Sequence, residues 1–306
     1  MSTKLFDRNI QVVIGTLGKD KRTLIKIPKE IQRENLKIDF SVNYAFSEVS
    51  SGDNHVTLYN LSDQTQSFIS SAKLSVQLWA GYGTILSKIF DGNALAIETA
   101  PKKDDETRTL LSSGAEISRQ NYSLETKIKL GNHTYYLNDA VFVRTYDAPV
   151  ETKQVVLDSV GTFGLPYEGI DVIPQKQLAK GFSSKGTTRA LYNQILPPIG
   201  VNWFVEKGII RFSKIGEAVR RAAVVASYNT GLIELPVKTE KGLKVKMLFN
   251  PDVELSKLMK VDLNAGRAIP RMLFNEFDGN YKIVDVTHEG SNYDGEMTTT
   301  AKVERI

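Results

Sequence analysis

Residues 228–263 read YNTGLIELPVKTEKGLKVKMLFNPDVELSKLMKVDL, and their pattern decides the fold. Gly231 to Pro236 is a short block closed by a proline. From Gly242 to Phe249 the residues alternate: Leu243, Val245, Met247 and Phe249 share one face, while Lys244 and Lys246 take the other. Side chains switch faces at every residue of a strand, so this alternation predicts a half-buried β-strand. Asn250-Pro251-Asp252 turns the chain, and Lys257 to Leu263 predicts a second strand. Nothing in the stretch sets a nucleophile beside a base. Its content is shape.

Downstream, Tyr281 to His288 predicts a strand with Tyr281, Ile283, Asp285 and Thr287 on one face and Lys282, Val284, Val286 and His288 on the other. Gly290 to Gly295 (GSNYDG) is a hairpin turn, and Met297 to Val303 is the returning, Thr-rich strand. The beginning of the chain has the same texture. Ile10 to Gly15, Leu36 to Ala45, His55 to Tyr59, Lys73 to Trp79, Ala94 to Thr99 and Thr107 to Ser113 each predict a short strand. Ser62 can cap a short helix over Ser62 to Ser70. Pro101 to Glu106 (PKKDDE) reads as a solvated loop.

The middle differs. Arg119 to Leu130 and Tyr135 to Thr145 are expected to pair as a hairpin across Gly131-Asn132-His133. Glu151 to Val160 predicts a helix closed by Gly161, and Thr187 to Leu196 a helix stopped by Pro197-Pro198. Val201 to Val205 and Gly208 to Phe212 predict a hairpin turning at Glu206-Lys207-Gly208. The pattern therefore predicts a mainly β chain in which an α+β insert (119–222) separates two β-barrel domains (1–118 and 223–306).

The 306 residues suit about two domains. The net charge of +4 comes from 39 Lys+Arg against 35 Asp+Glu, and it is dispersed rather than gathered into a phosphate-tracking patch. The absence of Cys excludes disulfides, thiolate catalysis and Cys-ligated metals. The first residues, MSTKLFDRNIQVV, lack the apolar core of a signal peptide. No run reaches the roughly 20 apolar residues that span a bilayer.

The search for chemistry finds no constellation. His55, His133 and His288 lack a second His at metal-ligand spacing, and the plain reading of each is a strand or turn histidine. There is no Walker loop, dinucleotide fingerprint or nucleophile elbow. Asp104 with Asp105, Glu276 with Asp278, and Glu289 with Asp294 are the carboxylate pairs a glycosidase would draw on, but each lies in a turn-like stretch where acids are solvated. Trp79 and Trp203 sit on alternating strands. Core or interface packing is their plain role, and sugar stacking the alternative.

The ordered set of features resembles the baseplate hub proteins of contractile-tailed phages, the late control protein D and Mu-like hub family. The residues that carry the resemblance are Gly231 to Pro236, Gly242 to Val245, Leu248-Phe249-Asn250-Pro251, Lys257 to Leu263, then Tyr281, Ile283, Val286, His288, Gly295 and Thr298 to Thr300. Gly81-Tyr82 through Lys88-Ile89-Phe90-Asp91-Gly92 is similar to the family's Phe-x-Gly strand. The hairpin from Gly200 to Phe212 sits where the family carries one. Many members are longer than this chain.

The resemblance implies two tube-protein-like β-barrels plus a smaller mixed subdomain, with Gly231, Pro236, Gly242, Asn250, Pro251, Tyr281, His288 and Gly295 as structural motif positions. It implies a homotrimer whose six barrels form a pseudo-six-fold ring. That ring would join a hexameric tail tube to a trimeric central spike and leave a lumen for DNA. The implied partners are the tube, spike and tape-measure or other baseplate proteins. The implied location is the virion tail baseplate, with assembly in the host cytoplasm. Neither catalysis nor a cofactor is implied. A tail-associated cell-wall hydrolase and a carbohydrate-binding β-module are the competing functions.

Overall fold

Gly242–Leu248 forms a strand in the computed structural model, with Leu243, Val245 and Met247 buried and Lys244 exposed. The structure describes residues 7–16, 25–26, 36–46, 53–70, 73–110, 116–263, 276–293 and 295–306. The opening strand set comprises β1 (Arg8–Thr16), β2 (Ile25–Lys26), β3 (Ile38–Ala45), β4 (His55–Tyr59), β5 (Leu74–Tyr82), β6 (Ile85–Leu110) and β7 (Glu116–Gly131). Helix α1 (Asp63–Ser70) lies between β4 and β5. As expected, Ser62 caps it: its hydroxyl accepts the Thr65 N–H at 3.3 Å.

The middle of the chain carries α2 (Thr134–Asp139), β8 (Val141–Tyr146), β9 (Val150–Glu151), α3 (Thr152–Val160), β10 (Tyr167–Glu168), β11 (Gln177–Leu178), β12 (Phe182–Thr187), α4 (Thr188–Ile195), β13 (Val201–Glu206) and β14 (Ile209–Lys214). The closing set is β15 (Val219–Ala226), β16 (Val237–Lys238), β17 (Gly242–Leu248), β18 (Lys257–Val261), β19 (Gly279–Ser291) and β20 (Thr298–Arg305). The fold is mainly β, with the helices concentrated in the middle.

Among the described residues, both strand sets belong to one connected sheet in the order β16-β17-β20-β19-β3-β4-β7-β6-β5-β1-β2, with β18 on β19 and β15 on β18. The join is β3. It pairs with β4 on one side and with β19 on the other, from Ala45 opposite Asp285 to Asp39 opposite Ser291. One apolar core runs under the whole sheet, from Ile10 and Val12 to Ala301 and Val303. The middle of the chain has its own core, which includes Val155, Val156, Leu191, Tyr192 and Trp203.

Four local expectations change. β7 pairs with β6 and β4, not with residues 135–145. The chain leaves the sheet at His133, in the left-handed region (φ 52), then forms α2, and β8 finds β12 instead. The polar stretch Pro101 to Glu106 is no loop: β6 runs through it to Leu110, because a paired ladder outweighs local polarity. Residues 111–113 of that expected strand lie outside the described residues. Gly161 continues the third helix as a short 3₁₀ turn, and Gly164 (φ 63) ends it. Finally, β7 runs unbroken across the boundary expected at 118, and β15 across that at 222, so the strand ladders place 119–131 with the opening set.

β19 carries a register shift between Ile283 and Asp285. A bulge inserts one residue and flips the parity beyond it. Tyr281, Ile283, Val286 and His288 are therefore all buried, and His288 shares a face with Tyr281 rather than opposing it.

Candidate functional site

The β13–β14 hairpin is where the two cores meet. Its turn places Lys207 at φ 53 and Gly208 at φ 81, the left-handed pair that suits a two-residue hairpin loop. Neighbouring residues of β13 enter different cores: Phe204 belongs to the sheet core, Trp203 and Val205 to the other. Phe204 meets Phe46 edge-on at 5.1 Å.

The tip reaches both strand sets. The Lys207 backbone N–H donates to the Tyr44 hydroxyl (3.3 Å), which in turn donates to the Ile89 carbonyl (2.9 Å). A Cβ at Gly208 would stand 3.1 Å from the Asp91 side chain. Toward the closing set, Lys207 Nζ donates to the Pro251 carbonyl at 2.9 Å and to Glu254 Oε1 at 2.7 Å. Arg211 Nη1 lies 2.9 Å from Glu206 Oε2 and 3.2 Å from Glu254 Oε2, and its Nε is 3.6 Å from Glu168. Lys257 adds a third cation to Glu254 at 3.1 Å. The Leu255 backbone N–H donates to Glu206 Oε1 at 3.0 Å.

Three carboxylates thus face three cations, and the most deeply buried is Glu206, at 1% exposure. Burial pushes Glu206 above the ordinary carboxylate range, and Arg211 and Lys207 only partly offset it. Burial also pushes Glu254 up, but Lys207, Arg211 and Lys257 outweigh it and hold the group at about 2. The cavity beside Arg211 is about 40 Å³, lined by Glu168, Phe204, Leu255 and Lys257 among others. A space of this size admits water. The arrangement can lock three parts of the chain together.

The motif positions divide among several places. Asn250, Pro251 and His288 lie near the cluster: the Asn250 N–H donates to Thr299 Oγ1 (2.9 Å), the same hydroxyl that bonds His288 Nδ1 (2.9 Å), and Pro251 accepts from Lys207. Gly231 (φ 98), buried Pro236 and Gly242 lie at the β16–β17 edge, where a Cβ on Gly242 would fall 1.9 Å from the Val303 carbonyl oxygen. Tyr281 is buried, its hydroxyl donating to the Phe277 carbonyl at 2.9 Å. Gly295, remote from these, accepts from Arg8 Nη1 at 2.6 Å and so ties the last hairpin to the first strand.

The other candidates have structural partners. Trp203 stacks on Phe163 at 5.7 Å and donates to Asn193 in the core, so it cannot stack on a sugar, while Trp79 is half-buried on β5. Glu276 pairs with Lys238, Asp278 accepts the Leu263 N–H, and Glu289 accepts the Thr298 hydroxyl. Asp294 lies outside the described residues. His133 stands 3.5 Å from Asp91, and His55 is half-buried on β4. Among the described residues no group of His, Asp and Glu could hold a metal, and no helix is long and apolar enough to cross a membrane.

His288 supports a pH prediction. Burial, reinforced by the Lys207 charge, lowers its pKa from 6.5 to about 3. The folded value lies below the unfolded one, so the neutral ring's contribution is complete above pH 6.5 and is lost as pH falls toward 3. Between pH 7.5 and 4.5 the loss is about 3 kcal/mol, at about 1.4 kcal/mol per unit. Urea titrations at the two pH values show this loss in the parent chain and not in His288→Gln. Equal losses would refute the assignment.

The fold is similar to that of a solved prophage tail protein. That protein, the 43 kDa tail protein of prophage MuSo2 from Shewanella oneidensis, aligns with TM-score 0.52, 8% identity and 97% of each chain covered. A chain of the Francisella PdpA–VgrG complex is equally similar, at TM-score 0.52 and 8% identity over 97% of this chain and 58% of that one. No family model and no curated protein matches the sequence.

Proposed function

We propose that this chain is a structural subunit of a phage-tail baseplate hub or a related injection machine. The observation that carries the reading is the continuous sheet that joins two strand sets through β3, wedged by the β13–β14 hairpin, in a fold shared end to end with a tail protein. On this reading each strand set supplies one barrel-like unit, and three copies present six such units in a ring. A ring of that kind matches a six-fold tube to a three-fold spike and leaves a lumen for DNA. The virion tail is its place, and the host cytoplasm the site of assembly. The protein's work is to hold its neighbours in position, without turnover.

Light scattering and electron imaging test this. The expected result is a mass of three chains and three-fold rings with six lobes. A strictly monomeric chain at high concentration, with no affinity for tube or spike protein, would overturn the reading.

A further inference from the structure

β19 turns a charged face toward the middle of the chain. Lys282 and Val284 share that face because strand side chains alternate. The register shift leaves Val284 without a partner on β20 and brings Asp285 onto the same face. These three residues, with Phe46 after β3 and Ile215 after β14, line an open pocket of about 330 Å³. Pockets that take small ligands begin at about 300 Å³.

The charges around the pocket are not all paired. Lys302 Nζ stands 2.8 Å from Asp285 Oδ2, and Asp285 Oδ1 accepts from the Asn43 amide at 2.9 Å, so that pair is satisfied inside the protein. Lys282 is different. It is 3% exposed, its Nζ donates to the Lys214 carbonyl at 2.7 Å, and the Phe46 ring centre lies 4.9 Å away. An ammonium carries three donors, and the Lys214 carbonyl takes one of them. Glu304, half-buried on the pocket wall, lies directly opposite Lys282 in the β19–β20 ladder. Among the described residues neither Lys282 nor Glu304 forms an ion pair. Glu217, nearby and exposed, pairs with Lys214 at 3.3 Å. Burial pulls the Lys282 ammonium below the usual lysine range, and Glu304 and Glu217 only partly oppose it. A buried ammonium short of a counter-charge is costly. The Asn202 amide, also on the wall, makes no side-chain hydrogen bond among the described residues.

We infer that this pocket binds a small zwitterion, an apolar α-amino acid, with its carboxylate on Lys282 and Asn202, its ammonium on Glu304 and its side chain against Phe46, Ile215 and Val284. The two unpaired charges set this class. A simple anion leaves Glu304 unanswered beside it, and a simple cation leaves Lys282 so, whereas a zwitterion answers both. The charged groups fix the ligand's orientation, and the apolar wall selects its side chain. The site lies within one chain and does not depend on the hub reading.

Titration calorimetry of the full chain tests this with L-leucine and L-phenylalanine. Saturable binding of at least one of them at millimolar concentration is expected. Two leucine analogues then separate the charges: isocaproate lacks the ammonium, and isoamylamine lacks the carboxylate. Each is expected to bind at least about tenfold more weakly, because a hydrogen bond to a charged group is lost and a charge of the pocket is left alone. Lys282→Met and Glu304→Gln are each expected to weaken binding of the amino acid by a similar factor, with circular dichroism and urea midpoints establishing that they fold. Should Lys282→Met not fold, Glu304→Gln and the analogues decide. No binding of either amino acid, equal binding of either analogue, or unchanged affinity in a folded variant would overturn the site and leave the hub reading untouched.

Discussion

Val245→Asp yields no folded protein. Val245 is fully buried on β17, opposite Ala301 of β20, in the core shared by both strand sets. The substitution forfeits about 1.5–3 kcal/mol of apolar burial. It also places a carboxyl where no donor replaces water, which costs roughly 2–7 kcal/mol even for a neutral polar group. Against a total stability of about 5–15 kcal/mol for a protein domain, that is enough to unfold the chain. Far-UV circular dichroism and soluble yield measure the outcome. Lys244→Asp, one residue away on the solvent face, is the control, expected within about 0.5 kcal/mol of the parent. A folded Val245→Asp chain with an unchanged urea midpoint would show that the two faces are reversed.

Arg211→Ala is the second large effect, and it acts through what is left behind. Arg211 bridges Glu206 and Glu254, at 2.9 and 3.2 Å. Its removal leaves Glu206 buried with its nearest cation gone. Breaking a buried pair from one side costs about 3–5 kcal/mol. In a chain of this size that lowers the melting temperature by on the order of 10 °C. The measurement belongs at pH 7. The depressed Glu254 pKa gives stability that is complete above about pH 4.5 and lost as pH falls toward 2, whereas the raised Glu206 pKa works in the opposite sense. Adding Glu206→Gln to Arg211→Ala removes the stranded charge, so the double variant recovers part of the loss. If the double variant is no better than the single one, the cost lies in lost packing and not in charge.

Much of this fold can be read from local pattern. The alternation at Leu243, Val245 and Met247 predicts the buried face of β17, and the charged-then-glycine turn at Glu206-Lys207-Gly208 predicts the β13–β14 hairpin. What escapes reading depends on the rest of the chain. The β19 bulge leaves no signature in its own residues, yet it moves His288 onto the face of Tyr281. The charged run at 101–106 resembles a loop until the ladder with β7 claims it. The buried charge cluster is half-visible: Glu206 and Arg211 interrupt an apolar hairpin, and that interruption was the signal available. Their third partner, Glu254, comes from 43 residues further along, which no local window reaches.

The shared strand β3 gives the molecule a direction of strength. Its seven register positions with β19, from Ala45–Asp285 to Asp39–Ser291, run along both strands. In an antiparallel ladder the hydrogen bonds lie across the strands. Tension applied along the strands therefore loads those bonds in shear, all together, whereas a pull across them would peel the pairs apart one at a time. The seam between the two halves resists a lengthwise pull as a single joint and gives way most easily to a sideways one.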